Sequence, residues 1–270
     1  MPDSPAVAAA PRAGAAEAAK GPDRLPGTGV VFRREVAAYF DSSIAYVYGS
    51  VFLLLSSAVF MNGFFLESVV DMSAYFRWLP FLLALFMPAI TMRSWSEERA
   101  QGTIELLLTL PFRPAQLVLG KYLAGLLFYL VVLAGSFPIV VMLLALGRPD
   151  LGIVASSYLG AVLLGALFLA LGVFVSALTR EQIVAFVVGT FACALFVLSG
   201  ESEVVEVLDG LARERQIGTF LYESFSVLPH YEAFCRGVVS LGDAAYFATL
   251  TALFLVLNER SVRSRPGQDR

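Results

Sequence analysis

Residues able to do covalent or acid–base chemistry are scarce in this sequence and stand far apart. His230 is the only histidine, and the two cysteines, Cys193 and Cys235, show neither a C-x-x-C nor a metal-ligand spacing. A phosphate-cradling loop needs G-x-x-x-x-G-K-[ST]; Gly120-Lys121 lacks both the earlier glycine and the following hydroxyl residue. His230 therefore reads as a structural or interfacial polar group, and Cys193 as small apolar filler. Charge gathers instead in one stretch between two apolar runs: Glu97, Glu98, Arg99, Glu105, Arg113 and Lys121. The chemistry open to such a stretch is recognition, with charge setting the specificity of a partner more than its affinity.

Local signals cut this stretch into short helices. Ser94 with Glu97 has the spacing of a capping box, and Gly102 can end that turn in a left-handed conformation. Thr103 to Leu110 then forms a second short helix, with Ile104, Leu107 and Leu108 on one side. Pro111 stops it, and Pro114 suits the first turn of the next helix. The spacing predicts a helix–break–helix elbow with Glu97, Glu98, Glu105, Arg99 and Arg113 on display.

The elements that hold the elbow are apolar. Of 270 residues, 58% are hydrophobic and 15% are charged, against about 25% charged in a soluble domain. Runs of about 20 apolar residues cross a bilayer as helices, because backbone amides in lipid must be satisfied within their own segment. An all-α integral membrane protein with six transmembrane helices follows. The spans are expected over about 44–66, 75–92, 122–146, 153–178, 183–199 and 244–257. Pro80, Pro88 and Pro138 are candidate kinks. Small residues four apart in the fourth span, among them Ala161/Gly165 and Gly172/Ser176, suit close helix contact.

Outside the spans, residues 1–29 are rich in Ala, Pro and Gly and read as a disordered cytoplasmic tail. Residues 30–43 read as an amphipathic helix lying in the headgroups, with Val31, Phe32, Val36, Tyr39 and Phe40 on one side and Arg33, Arg34 and Glu35 opposite. The six-span domain occupies 30–260, and 261–270 form a second cytoplasmic tail. Residues 200–243 are expected outside the membrane. Within them, 203–217 reads as a surface helix, and 219–243 returns along the interface. With both termini inside, only Arg77, Arg148, Arg213, Arg215 and Arg236 of the 19 Lys and Arg residues lie outside, as the positive-inside rule requires. Span interiors nearly free of charge argue against an ion-coupled carrier. They also leave no paired carboxylates for an intramembrane enzyme.

The run SEERAQGTIELLLTLPFRPAQLVLGKYLAG (96–125) closely resembles the type-2 ABC exporter permeases. The residues carrying the likeness are Glu97, Glu98, Gly102, Thr103, Glu105, Leu106, Leu107, Leu108, Thr109, Leu110, Pro111, Gly120 and Lys121. FRREVAAYFDSSIAYVYGSVFLL (32–54) and HYEAFCRGVVSLGDAAYF (230–247) are similar to segments of the gliding-motility-type subgroup. The resemblance implies a non-catalytic permease in a bacterial inner membrane, dimeric with an identical or different second copy. ATP and Mg would be bound by a separate nucleotide-binding ATPase, with no cofactor, metal or nucleic acid on this chain. It implies an elbow helix at 30–43 (Phe32, Arg33, Arg34, Glu35, Tyr39, Phe40). It also implies a coupling helix at about 102–110 that docks on the ATPase, with Glu97, Glu98, Arg99, Gly102, Thr103, Ile104, Glu105, Leu106, Leu107, Thr109, Leu110 and Pro111 at or beside the contact. Accessory proteins would meet the 200–243 segment. A scaffold that recruits a soluble partner without transport is the alternative.

Overall fold

The computed structural model describes residues 27–67, 71–103, 113–147, 149–211 and 217–263. These form helices, with no strand among the described residues. In chain order they are α1 (Gly27–Phe40), α2 (Ser43–Glu67), α3 (Ser73–Thr91), α4 (Arg93–Ala100), α5 (Pro114–Ala134) and α6 (Phe137–Leu146). There follow α7 (Leu151–Ser176), α8 (Gln182–Leu198), α9 (Ser202–Leu211), α10 (Ile217–Phe225), α11 (Leu228–Cys235) and α12 (Leu241–Arg263). The tails expected at 1–29 and 261–270 fall largely outside the described residues, as does most of the short helix expected at 103–110.

Five stretches are long and apolar enough to cross a membrane: 43–65, 73–100, 114–146, 151–176 and 241–263. A sixth crossing exists if α8 and α9, bent by 89° at Gly200 and Glu201, count as one broken span. Two boundaries differ from the sequence expectation in ways that bear on function. α3 runs unbroken through Pro80 and Pro88 and continues into α4 after a one-residue interruption at Met92. The third span, expected from Tyr122, begins at Pro114, so Gly120 and Lys121 lie within a helix. Pro114 occupies its first turn, where a missing N–H costs nothing, and the Gln116 side chain accepts from the Arg113 N–H at 3.0 Å. Pro138 sits at the start of α6 and separates it from α5.

α7 is the axis of the bundle. It packs on α3, α5, α8, α11 and α12, and 72% of its most apolar stretch is buried, against 22% for α2 and 11% for α12. Lipid offers no hydrophobic drive between helices, so close backbone approach must supply the packing. α7 supplies it with glycines. A Cβ on Gly160 would lie 2.7 Å from Phe234 Cβ, and one on Gly165 2.2 Å from the Tyr129 ring. Hydroxyls that would be orphaned in lipid reach carbonyls of neighbouring helices: Tyr129 donates to Ala161 at 2.8 Å, Tyr48 to Phe86 at 2.9 Å, and Tyr231 to Phe76 at 3.0 Å.

The return segment packs onto the bundle through α11. Its Tyr231 and Phe234 are fully buried, and the Phe234 carbonyl accepts from Ser156 Oγ of α7 at 2.8 Å. His230 holds α11 to the start of α12, with Nδ1 2.6 Å from Asp243 Oδ1 and the ring stacked on Tyr246 at 4.1 Å. Asp209 of α9 caps α10, accepting from the Gly218 and Thr219 backbone and from the Thr219 hydroxyl. The Thr219 hydroxyl, with those N–H groups, holds the Asp209 carboxyl below the usual carboxylate range.

Candidate functional site

Three elements meet where the long α3–α4 helix ends. α4 arrives with Glu98, α5 leaves with Lys121, and α1 lies across α5 with Arg34 and Glu35. Lys121 Nζ is 2.9 Å from Glu98 Oε1 and 3.2 Å from Glu35 Oε1. Arg34 Nη2 reaches the same two oxygens at 2.9 and 2.8 Å. Two cations thus share two carboxylates in a closed four-membered cluster. The Lys121 side chain is 3% exposed, and those of Glu35 and Glu98 are 14% and 13% exposed. Trp95, fully buried, places its ring 5.0 Å below the ammonium, a cation–π contact in a site shielded from water. Gly120 lets the helices close. A Cβ there would sit 2.7 Å from Val31 of α1.

The display of charge expected from the sequence is therefore corrected for two residues. Glu98 turns inward to Lys121 and Arg34, and Arg99 is buried at 9% exposure. Glu97 does stay accessible, pairing with Arg93 at 3.4 Å one helical turn back, and Arg113 is exposed. Glu35, expected on the outer face of α1 with Arg33 and Arg34, faces α5. Arg33 remains exposed, while Tyr39 stacks on Phe128 of α5 at 5.3 Å and Phe40 meets the same ring edge-on. Phe32 is half-buried.

The capping box expected at Ser94 and Glu97 does not form, because α4 continues α3 and its first turn lies against α7. The N–H groups of Trp95 and Ser96 are accepted by Ser176 Oγ, at 3.0 and 3.2 Å. That hydroxyl donates in turn to the Met92 carbonyl at 3.0 Å. One side chain from α7 thus caps the interruption between α3 and α4. The sequence shows Ser176 only as a small residue four after Gly172; nothing local reveals its partners 80 residues away. Ser176→Ala should leave two buried N–H groups without an acceptor, at a cost of about 1–3 kcal/mol. Chemical unfolding in detergent would measure it, with Ser176→Thr as the variant that keeps the hydroxyl.

At its far end α4 stops as expected. Gln101 N donates to Glu97 O at 3.0 Å, Gly102 N donates to Arg99 O at 3.2 Å, and Gly102 has φ of 67°. The Thr103 hydroxyl donates to the Glu98 carbonyl at 3.3 Å. Ile104, Glu105, Leu106, Leu107, Thr109, Leu110 and Pro111 lie outside the described residues. The chain thus leaves a clamped helix at Gly102 and re-enters another at Pro114.

Residues 31–258 match the ABC-2 family transporter proteins. The chain belongs to that family. The match covers α1 through most of α12, so the clamp is part of the family's domain and not an appendage. It does not distinguish the gliding-motility-type subgroup that 32–54 and 230–247 resemble. Among curated proteins, no relative matches the chain. As an ABC-2 family member with several membrane-crossing helices, the protein is a multi-pass component of a membrane transporter. Among the described residues of this ABC-2 protein, no three His, Cys, Asp or Glu side chains gather to hold a metal ion.

Proposed function

We propose that this ABC-2 protein is the membrane-spanning permease subunit of an ATP-driven exporter in a bacterial inner membrane. Both termini face the cytoplasm, and a separate ATPase docks on residues 102–110. A second permease copy completes the transport path, so one chain needs no polar pore of its own. The observation that carries this reading is the four-residue clamp of Arg34, Glu35, Glu98 and Lys121. It ties the end of the 73–100 helix to the start of the 114–146 helix and to α1. A load applied between Gly102 and Pro114 then moves two spans and the elbow helix together instead of flexing a loop. The family supports the transport role, and the accessible Glu97 and Arg113 border the docking stretch.

Affinity capture of the intact complex from membranes tests the proposal directly. An ATPase with its own phosphate loop should co-purify, and Glu105→Lys should lower its recovery severalfold while membrane insertion is unchanged. Glu98→Lys is not a clean docking probe, since it would break the clamp. Capture of a partner with no nucleotide-binding activity would favour the scaffold reading. Gly102 gives a second handle. Among the described residues a Cβ there meets nothing within 4 Å, so the left-handed backbone is what opposes substitution. Gly102→Ala should cost about 1 kcal/mol and Gly102→Val more, read as ATPase coupling efficiency. Equal coupling in the two variants would remove the break from the mechanism.

A further inference from the structure

Beside the clamp, a cavity of about 380 Å³ opens between α1, α2 and the α3–α4 helix. Its two ends differ. Ile44, Tyr48, Ala89 and Phe128 line one, while Arg34, Arg93, Glu97 and Glu98 line the other. The apolar end lies where α2 begins and α3 finishes its apolar run, so the cavity straddles the level at which these helices leave hydrocarbon. An amphiphile fits that division, with its chains toward α2 and its head toward α4.

The charges choose the head. Each cation at the polar end has a carboxylate beside it, so the site is balanced and offers an anionic lipid no net attraction. Balanced charge still leaves unused hydrogen-bonding groups. Arg34 uses only Nη2 in its ion pairs, and Arg93 meets Glu97 only through Nε, at 3.4 Å and without a hydrogen bond. Their remaining guanidinium nitrogens are donors for a phosphate, which guanidinium groups bind in a forked geometry. On the acceptor side, the Glu97 carboxylate lines the cavity with its side chain 39% exposed and only long contacts, to Gln101 and Arg93 at 3.4 Å each, so it can accept from a closer donor. A primary ammonium supplies such a donor; a quaternary ammonium does not.

We infer that this cavity binds a zwitterionic phospholipid with a phosphoethanolamine head. Its phosphate lies between Arg34 and Arg93, its ammonium lies toward Glu97, and its acyl chains start along Ile44 and Tyr48. The bound lipid fills the space between elbow helix and lever, so it becomes part of the element that moves. The inference rests on membership of a membrane-transport family and not on the ATPase partner, so either can fail alone.

The test uses full-length protein in nanodiscs of equimolar phosphatidylethanolamine, phosphatidylglycerol and phosphatidylcholine. After stepwise delipidation, retained lipid is quantified by mass spectrometry. Phosphatidylethanolamine should be retained about tenfold over the other two, the discrimination of one charge-assisted hydrogen bond. The double variant Arg34→Ala/Arg93→Ala should lower the retention of all three lipids, whose shared phosphate it no longer holds, and Glu97→Gln should erase the preference. So should Ala38→Phe, which plugs the cavity from an exposed position on α1 and leaves every charge in place. Equal retention of the three lipids by the wild type would overturn the inference. So would preference for phosphatidylglycerol, or a phosphatidylethanolamine preference that survives Glu97→Gln and Ala38→Phe. Loss of ATPase recovery in the arginine variant with lipid retention unchanged would assign those two residues to the partner, and would overturn it as well.

Discussion

Replacing Lys121 by methionine should destabilise the protein by about 3–5 kcal/mol, the range for removing one partner of a buried ion pair. The ammonium is the shared counter-ion of Glu35 and Glu98, and at 3% exposure no water replaces it. Without it the two carboxylates face each other with Arg34 as the remaining close cation. Arg34 is 56% exposed, so its own removal should cost only about 1 kcal/mol or less. The charge count predicts a rescue: Glu35→Gln in the Lys121→Met background restores one cation to one carboxylate and should recover much of the loss. Unfolding free energies in mixed micelles for the two single variants and the double variant give the coupling. Additive effects would show that the cluster is not a unit. A Lys121→Met protein as stable as the wild type would show that the clamp holds nothing together.

A comparable loss is expected from Gly165→Val. A Cβ at this position would lie 2.2 Å from Tyr129 Cε1 and 2.4 Å from Cζ, against a ring that is itself buried. The ring cannot retreat without giving up its hydrogen bond to the Ala161 carbonyl. Overpacking and the lost bond together should reach at least about 3 kcal/mol. Gly210→Ala is the control, since a Cβ there meets nothing within 4 Å among the described residues and helix propensity improves by about 1 kcal/mol. Unfolding midpoints in the same detergent would separate the two. A neutral Gly165→Val would mean that α5 and α7 can part more easily than their contact implies.

The two variants probe the same construction at different depths. Gly165 sets how closely α5 approaches the axis helix α7, and Lys121 sets what the cytoplasmic end of α5 holds in the proposed orientation. Ser176, one turn after Gly172 on α7, fixes the root of α4 from the other side. The stretch between Gly102 and Pro114 thus hangs from two helices that are each anchored to α7.

What the sequence determined by itself is the part of the protein that lipid and local backbone geometry dictate. Apolar runs had to be helices because no water is present to satisfy their amides. Gly102 suits the break because glycine takes a left-handed φ without a Cβ penalty, and Pro114 suits the first turn of a helix because the N–H it lacks has no partner there. Even the likeness to a transporter family lay in a contiguous run of residues. What only the tertiary structure decided is which charged face turns inward. Glu98 and Lys121 are 23 residues apart and Glu35 and Lys121 are 86 apart, and amphipathic spacing is the same for a helix facing water or facing another helix. The glycines of α7 and the hydroxyl of Ser176 are equally silent until their partners are known, because close approach and a shared hydrogen bond are properties of two surfaces and not of one.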